Sequence, residues 1–307
     1  MLLAATYKAA DLLCGNYSST KITQILRHQE EDPELRMTDH LFKSKTFSSV
    51  YQQYMVPVSS DVMNLIFSYL KEKKSKPYDT AVDVGCGTGR YTLPLAAYFK
   101  KVIGVDISES QLEEAKQFCS SVNVTFQVAA AENLPLEDAS VDLVNAGLAA
   151  HWFNVEKFVH EAVRVLKPNG CLAVHAFVPI YKLQDGHNDA ALNVVMKQYL
   201  DKMSEFKYKN NNIMHHQYEE VFNAIPLKDK KWVTDIPVVF EMTVEEIIGF
   251  FQSIYMYQEF LKHDKNEAIR FLMHLEQRFR DILGDGYESA LIKVHIKHYC
   301  VLACKSS

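Results

Sequence analysis

The sequence lacks the features that mark membrane-spanning and nucleic-acid-binding proteins. No apolar run in its 307 residues approaches the roughly 20 residues that cross a bilayer as a helix. Acidic residues outnumber basic ones, 38 to 33, and no basic stripe of the kind that neutralises phosphates is present. We therefore predict a protein with no membrane span and no nucleic-acid partner.

Metal and disulfide motifs are also absent. The six cysteines include no CxxC pair, and several, such as Cys171 and Cys300, lie inside apolar runs where a thiol packs as a small hydrophobe. The 12 histidines form no HExxH motif and no cluster with cysteine, so no metal site is predicted. The first residues lack the basic segment of a secretory signal. A reduced, cytoplasmic setting is the expectation.

The sequence does contain a glycine cluster between an apolar run and a helical pattern, Asp83-Val84-Gly85-Cys86-Gly87-Thr88-Gly89-Arg90. Its three glycines allow positive φ angles and a close approach of a ligand to backbone N–H groups. A dinucleotide-binding loop has glycine or alanine where this sequence has Arg90. Asp83 would also repel a pyrophosphate, whereas it would attract an ammonium group. The loop therefore predicts a ligand site and leaves a nicotinamide oxidoreductase as a distant alternative.

Apolar strands alternate with helical stretches on both sides of this loop. The strands are predicted near 80–84, 101–105, 124–128, 141–145, 171–177, 232–241 and 291–303. Alternation of this kind predicts an α/β fold with a doubly wound, Rossmann-like parallel sheet. Helices split at Pro57 are predicted before the sheet, and a helical insertion is predicted after the fifth strand.

Four ordered motifs carry a resemblance to a known family. The glycine loop resembles motif I of the class I S-adenosylmethionine-dependent methyltransferases, and further matches follow at 102–108, 130–135 and 166–170. The string Ala150-His151-Trp152-Phe153 is similar to that of small-molecule methyltransferases of the trans-aconitate type, within a group that looks UbiE-like. The resemblance implies a seven-stranded class I methyltransferase sheet with S-adenosylmethionine as the cofactor.

The resemblance also implies where each part of the cofactor lies. The glycine loop would meet the methionine end, with Asp83 facing the ammonium group and the helix N-terminus favouring the carboxylate. Asp106 ends the second strand and would accept both ribose hydroxyls, and Ile107 would pack on adenine. The predicted cofactor-binding residues are Asp83, Gly85, Gly87, Gly89, Asp106, Ile107, Ala131, Glu132 and Asn145.

The acceptor side is predicted from the first helices and the end of the fourth strand. Tyr51 and Tyr54 line the substrate pocket in one interpretation and only pack their helix against the sheet in the other. His151 is the candidate catalytic residue, to orient or deprotonate an acceptor, although a histidine beside a tryptophan is often structural. Trp152 is expected in the core or the pocket wall. The predicted substrate-pocket residues are Tyr51, Tyr54, His151 and Trp152.

These motifs predict methyl transfer to a small-molecule acceptor, with a carboxylate as one candidate, mainly by proximity and alignment. The alternative is a methyltransferase-like module that binds S-adenosylmethionine and acts through a protein partner. Residues 1–38 match nothing and are expected to form a poorly ordered or loosely docked extension. Residues 39–307 are predicted to be the methyltransferase domain, with a cofactor-binding core at 78–180 and acceptor-covering helices and last strands at 181–307.

Overall fold

The computed structural model describes residues 45–206, 214 and 216–306 of the chain. The predicted extension over residues 1–38 and its boundary therefore lie outside the described residues. No described helix is both long and apolar enough to cross a bilayer.

A seven-stranded sheet forms the centre of the fold, in the order β3-β2-β1-β4-β5-β7-β6. The strands from β1 to β5 pair in parallel, whereas β7 runs antiparallel between β5 and β6. The strands are β1 Tyr78–Val84, β2 Phe99–Asp106, β3 Val124–Val128, β4 Val141–Gly147, β5 Leu166–Gln184, β6 Asp229–Met242 and β7 Ile292–Cys304. The predicted doubly wound, seven-stranded sheet is confirmed.

Helices flank this sheet, and several of them begin at a side chain that caps the helix N-terminus. They are α1 Lys45–Tyr54, α2 Ser60–Lys73, α3 Thr92–Leu95, α4 Glu109–Phe118, α5 Val155–Val165, α6 Asp189–Met203, α7 Glu219–Ala224, α8 Val244–Ser253, α9 Tyr255–His263 and α10 Lys265–Leu283. Ser108 caps α4 by accepting a hydrogen bond from the Gln111 N–H, and Thr243 and Glu246 form a reciprocal capping box at α8. The predicted N-terminal helices and the helical insertion after the fifth strand, here α6 and α7, are therefore present.

Alternating side chains of the strands build a core on each face of the sheet. Val82 and Val144 pack in one buried apolar cluster, whereas their neighbours Ala81 and Leu143 pack in another. This alternation follows from the two-residue repeat of a strand. Strands that are buried on both faces have no polar side, which is why the sequence shows them as nearly continuous apolar runs.

The longest strand differs most from its prediction. β5 spans 19 residues, and its final part pairs with β7 through Lys182 and Gln184. Antiparallel pairing to β7 extends the strand well past 177, the end of its predicted range. Helix α5 ends at Val165, close to the predicted stop, and Asn169 in the first part of β5 has φ +61.

Candidate active site

A cavity of about 560 Å³ opens at the carboxyl ends of β1, β2 and β4. It lies where β2 pairs with one side of β1 and β4 with the other, which is the switch point at which open α/β sheets bind ligands. Eight of the residues predicted for the site line this cavity: Tyr51, Gly85, Gly87, Asp106, Ile107, Ala131, Glu132 and Trp152. The others, Asp83, Gly89, Asn145, Tyr54 and His151, are not among the lining residues.

The glycine loop has the backbone that its sequence predicts. Gly85, Gly87 and Gly89 have φ angles of +65, +53 and +80, which side chains with a Cβ rarely adopt. A Cβ on Gly85 would also lie 2.6 Å from the Ala149 Cβ and 2.8 Å from the Phe153 ring. The loop therefore brings bare backbone to the cavity at a point where no side chain fits.

Asp106 joins the glycine loop to the end of β2. Its Oδ2 accepts a hydrogen bond from the Gly87 N–H and its Oδ1 from the Ser108 N–H, both at 2.9 Å. Burial raises the pKa of Asp106, while these backbone N–H groups oppose the shift. Each carboxylate oxygen keeps a further lone pair. The side chain is thus held in place at the cavity wall and can accept two hydroxyl groups.

Asp83 lies beneath the cavity instead of in its wall. The residue is 1% exposed, and its carboxylate accepts hydrogen bonds from Thr92 Oγ1 at 2.6 Å and Asn145 Nδ2 at 2.8 Å. Asn145 Oδ1 lies 3.1 Å from His175 Nε2. Burial raises the pKa of Asp83 to about 6, against the two hydrogen bonds, and the Asp106 charge adds to the rise. A role toward an ammonium group stays a prediction.

The predicted adenine side combines one exposed apolar residue with one anchored acid. Ile107 is 70% exposed and lines the cavity, so an apolar face is presented to a ligand. Glu132 accepts a hydrogen bond from the Asn154 N–H at 2.7 Å, which joins it to the start of α5. Ala131 is buried beside it in the cavity wall.

Helix α1 is fastened to the glycine loop. The Arg90 guanidinium donates to the backbone carbonyls of Gln52, Met55 and Val56, each at 2.8 Å. Thr88 Oγ1 lies 2.5 Å from Gln52 Oε1. These bonds cap the end of α1 and bring Tyr51 into the cavity wall.

Tyr54 packs against α8. A Cβ added to Gly249 would fall 2.2 Å from the Tyr54 ring, so the tyrosine sits directly on the glycine backbone. Tyr54 therefore packs its helix against the rest of the fold, as one of the two interpretations expected, whereas Tyr51 lines the pocket, as the other expected. The sequence could not separate the two, because both lie on the same helical face.

His151 is held by a tyrosine from the insertion. Its Nδ1 lies 3.0 Å from the Tyr218 hydroxyl oxygen, and burial lowers the pKa of His151 to about 3. The neighbouring Trp152 lines the cavity and meets Tyr255 edge to face, with ring centroids 5.2 Å apart. His151 is thus a neutral, partly exposed side chain beside Trp152 that does not itself line the cavity.

Several lining residues were missed as site residues, among them Gln111, Tyr91, Leu148 and Phe153. Phe153 belongs to the string after β4, and Gln111 lies in the first turn of α4, but the sequence does not show that either side chain faces the cavity. Leu148 has φ +56, and its N–H donates to the His175 carbonyl. Nothing in the sequence signals that backbone turn.

Comparison with known proteins gives a consistent result. A family model described as "Methyltransferase domain" matches residues 82–174. A methyltransferase of Dictyostelium discoideum is 29% identical over 265 residues, which cover 86% of this chain and 95% of the relative. A malonyl-[acyl-carrier protein] O-methyltransferase of a Methylovorus species is 26% identical over 233 residues, covering 71% of this chain and 73% of the relative.

One solved structure supports the fold. The structure of a type II methyltransferase from Anaeromyxobacter dehalogenans is 22% identical, covers 77% of this chain and 94% of its own, and superposes with a TM-score of 0.59. At this identity the match concerns the fold alone. It agrees with the Rossmann-like sheet described above.

Proposed function

Because this chain is a class I S-adenosylmethionine-dependent methyltransferase, we propose that it transfers the methyl group to a small-molecule acceptor. The observation that carries the proposal is the cavity at the switch point, about 560 Å³ in volume and flanked by α1. Sites for small ligands commonly measure about 300–1,000 Å³. A cleft of this size suits a cofactor and a small acceptor better than a protein surface.

The residues present fit the cofactor. The Asp106 carboxylate can accept ribose hydroxyls while its backbone bonds hold it still. The Gly85 and Gly87 backbone leaves room for the methionine end, and the exposed Ile107 side chain offers a surface for adenine. When bound, S-adenosylmethionine supplies a methyl group that is already activated.

Three aromatic side chains, Tyr51, Tyr91 and Trp152, line the cavity together with Leu148. We propose that they form its acceptor end. Flat rigid side chains of this kind confine an acceptor with little loss of conformational entropy. Holding a nucleophile in line with the methyl carbon can contribute about 7–11 kcal/mol to catalysis. We propose that alignment by these rings is the main contribution of the protein.

The charges in the cavity bear on the carboxylate candidate. Among the lining residues that the structure describes, Arg90 is the only cation, and its guanidinium is bonded to three backbone carbonyls. The described wall therefore offers a carboxylate acceptor no second cation beside Arg90. The described wall favours an acceptor without a negative charge beside the reacting atom. The Methylovorus relative, by its name, methylates an oxygen of a malonyl group, so the carboxylate stays a prediction to be tested.

His151 enters the proposal as a positioning residue. Its low pKa keeps the ring neutral at physiological pH, and Tyr218 engages its Nδ1. A general base works best with a pKa near the working pH. We therefore propose that His151 supports the Trp152 wall and does not abstract the acceptor proton.

The test uses S-adenosylmethionine labelled in its methyl group and a cell extract separated by ultrafiltration. We expect label in the small-molecule fraction, and no transfer with the Asp106→Ala protein. A panel of matched phenol, amine and carboxylic acid acceptors then separates the candidate classes. Label that appears only in the macromolecular fraction would contradict the proposal and would support the module that works through a protein partner.

A further inference from the structure

A buried amide oxygen without a hydrogen-bond partner marks the cavity wall beside Asp106. Gln111 is 3% exposed and lines the cavity. Within the described residues its Oε1 has no hydrogen-bond partner. A buried carbonyl oxygen without a donor costs free energy, because it has lost water and gained nothing in exchange.

Capping of α4 does not explain this side chain. The cap uses the backbone N–H of Gln111, which donates to Ser108 Oγ at 3.3 Å. Any residue other than proline would supply that N–H. A polar side chain at this buried position therefore needs another partner.

The surroundings of Oε1 indicate what that partner is. A Cβ on Gly87 would lie 3.4 Å from Gln111 Oε1, and the Gly87 N–H already donates to Asp106 Oδ2. Gln111 Oε1 and the Asp106 carboxylate thus adjoin the same glycine, and all three oxygens are acceptors. Gln111 Oε1 still needs one donor, and a ligand that also uses the remaining lone pairs of Asp106 brings a second O–H or N–H to the same place. The adjacent hydroxyls of a ribose meet this requirement.

We propose that the Gln111 amide oxygen accepts a hydrogen bond from a ribose hydroxyl of the cofactor and so shares the ribose diol with Asp106. The inference rests on the cofactor and not on the identity of the acceptor. Gln111 then determines specificity, because the cavity discriminates against an adenosyl ligand that lacks this hydroxyl. An acceptor left without its donor opposes binding of such a ligand.

Isothermal titration with S-adenosylhomocysteine tests the inference without catalysis. Gln111→Leu keeps the approximate size of the side chain and removes the acceptor, and we expect its Kd to rise about tenfold, as for the loss of one hydrogen bond. Gln117→Leu is the matched control, because Gln117 is exposed on the same helix. Its Kd is expected to stay at the wild-type value.

Deoxy ligands make the test specific. The ligands are S-adenosylhomocysteine and its 2′-deoxy and 3′-deoxy forms. Wild type should bind one of the two deoxy forms about tenfold more weakly than the parent ligand. Gln111→Leu should bind that deoxy form and the parent ligand equally well. Gln111→Leu should also unfold at the same or higher temperature than wild type without ligand, because it removes an unpaired polar group. Equal Kd values for wild type and Gln111→Leu would overturn the inference, as would a loss that is the same for the parent and both deoxy ligands. A wild type that binds no S-adenosylhomocysteine would instead overturn the cofactor assignment itself.

Discussion

Replacement of Asp83 by asparagine should stabilise the protein at neutral pH. The carboxylate is buried, and burial moves its pKa from an ordinary value of 3.8 to about 6. A raised pKa means that the folded state prefers the neutral acid. The contribution to stability is therefore fully present below pH 3.8 and is lost as the pH rises through about 6.

The size of the effect follows from the shift. A change of roughly two pKa units corresponds to about 3 kcal/mol of unfavourable free energy once Asp83 is ionised. At pH 5 the cost is about half as large, because the folded protein is then mostly protonated at this site. Asparagine carries no charge, so its advantage over aspartate should be about 1.5 kcal/mol greater at pH 8 than at pH 5.

Urea unfolding of wild type and Asp83→Asn at pH 5 and pH 8 measures this difference. The comparison cancels any change that does not depend on pH, such as altered bonds to Thr92 and Asn145. Asp79→Asn on the same strand is the control, since Lys100 and Lys167 lower the pKa of this carboxyl to about 2. The loss of unfolding free energy in Asp79→Asn should be the same at pH 5 and pH 8, because the ionised Asp79 carboxylate already gives its stabilisation above its ordinary pKa of 3.8. A pH-independent effect of Asp83→Asn would refute the reasoning.

Two further predictions concern Tyr54 and His151, which were predicted for the substrate pocket but do not line the cavity. Gly249→Ala should lower the free energy of unfolding by about 1–3 kcal/mol, because the new methyl group meets the Tyr54 ring. In thermal and urea unfolding, the double variant Gly249→Ala with Tyr54→Ala should lose most of this penalty. Additive effects of the two substitutions would argue against the contact. The rate of methyl transfer should show no inflection attributable to His151 between pH 5 and pH 8, because its pKa is about 3. A limb in the kcat profile of wild type that disappears in His151→Gln would contradict that assignment.

The sequence predicted the parts of the site that depend on local backbone. Glycines at 85, 87 and 89 need positive φ angles, and Asp106 follows directly from the end of an apolar strand. Parallel strands deliver their carboxyl ends to one edge, so these residues had to meet. Local spacing therefore located the loop and the ends of the strands, and the family resemblance supplied the prediction that Asp106 meets the ribose.

Contacts between distant parts of the chain were not predictable in this way. Arg90 bonds to residues 34 to 38 positions earlier, and Asn145 bonds to Asp83 across 62 positions. Periodicity shows which side of an element is buried, but not which partner it meets. The same limit applies to Tyr54, whose position depends on a single glycine in α8.

The central claim is that the cavity beside the glycine loop binds the cofactor through Asp106. Isothermal titration of S-adenosylhomocysteine into wild type, Asp106→Ala and the distant control Asp79→Ala tests it most directly. Hydrogen bonds to charged groups contribute roughly 1.5–3 kcal/mol each, so Asp106→Ala should bind at least tenfold more weakly. Asp79→Ala should bind as wild type does. Unchanged affinity in Asp106→Ala would contradict the claim.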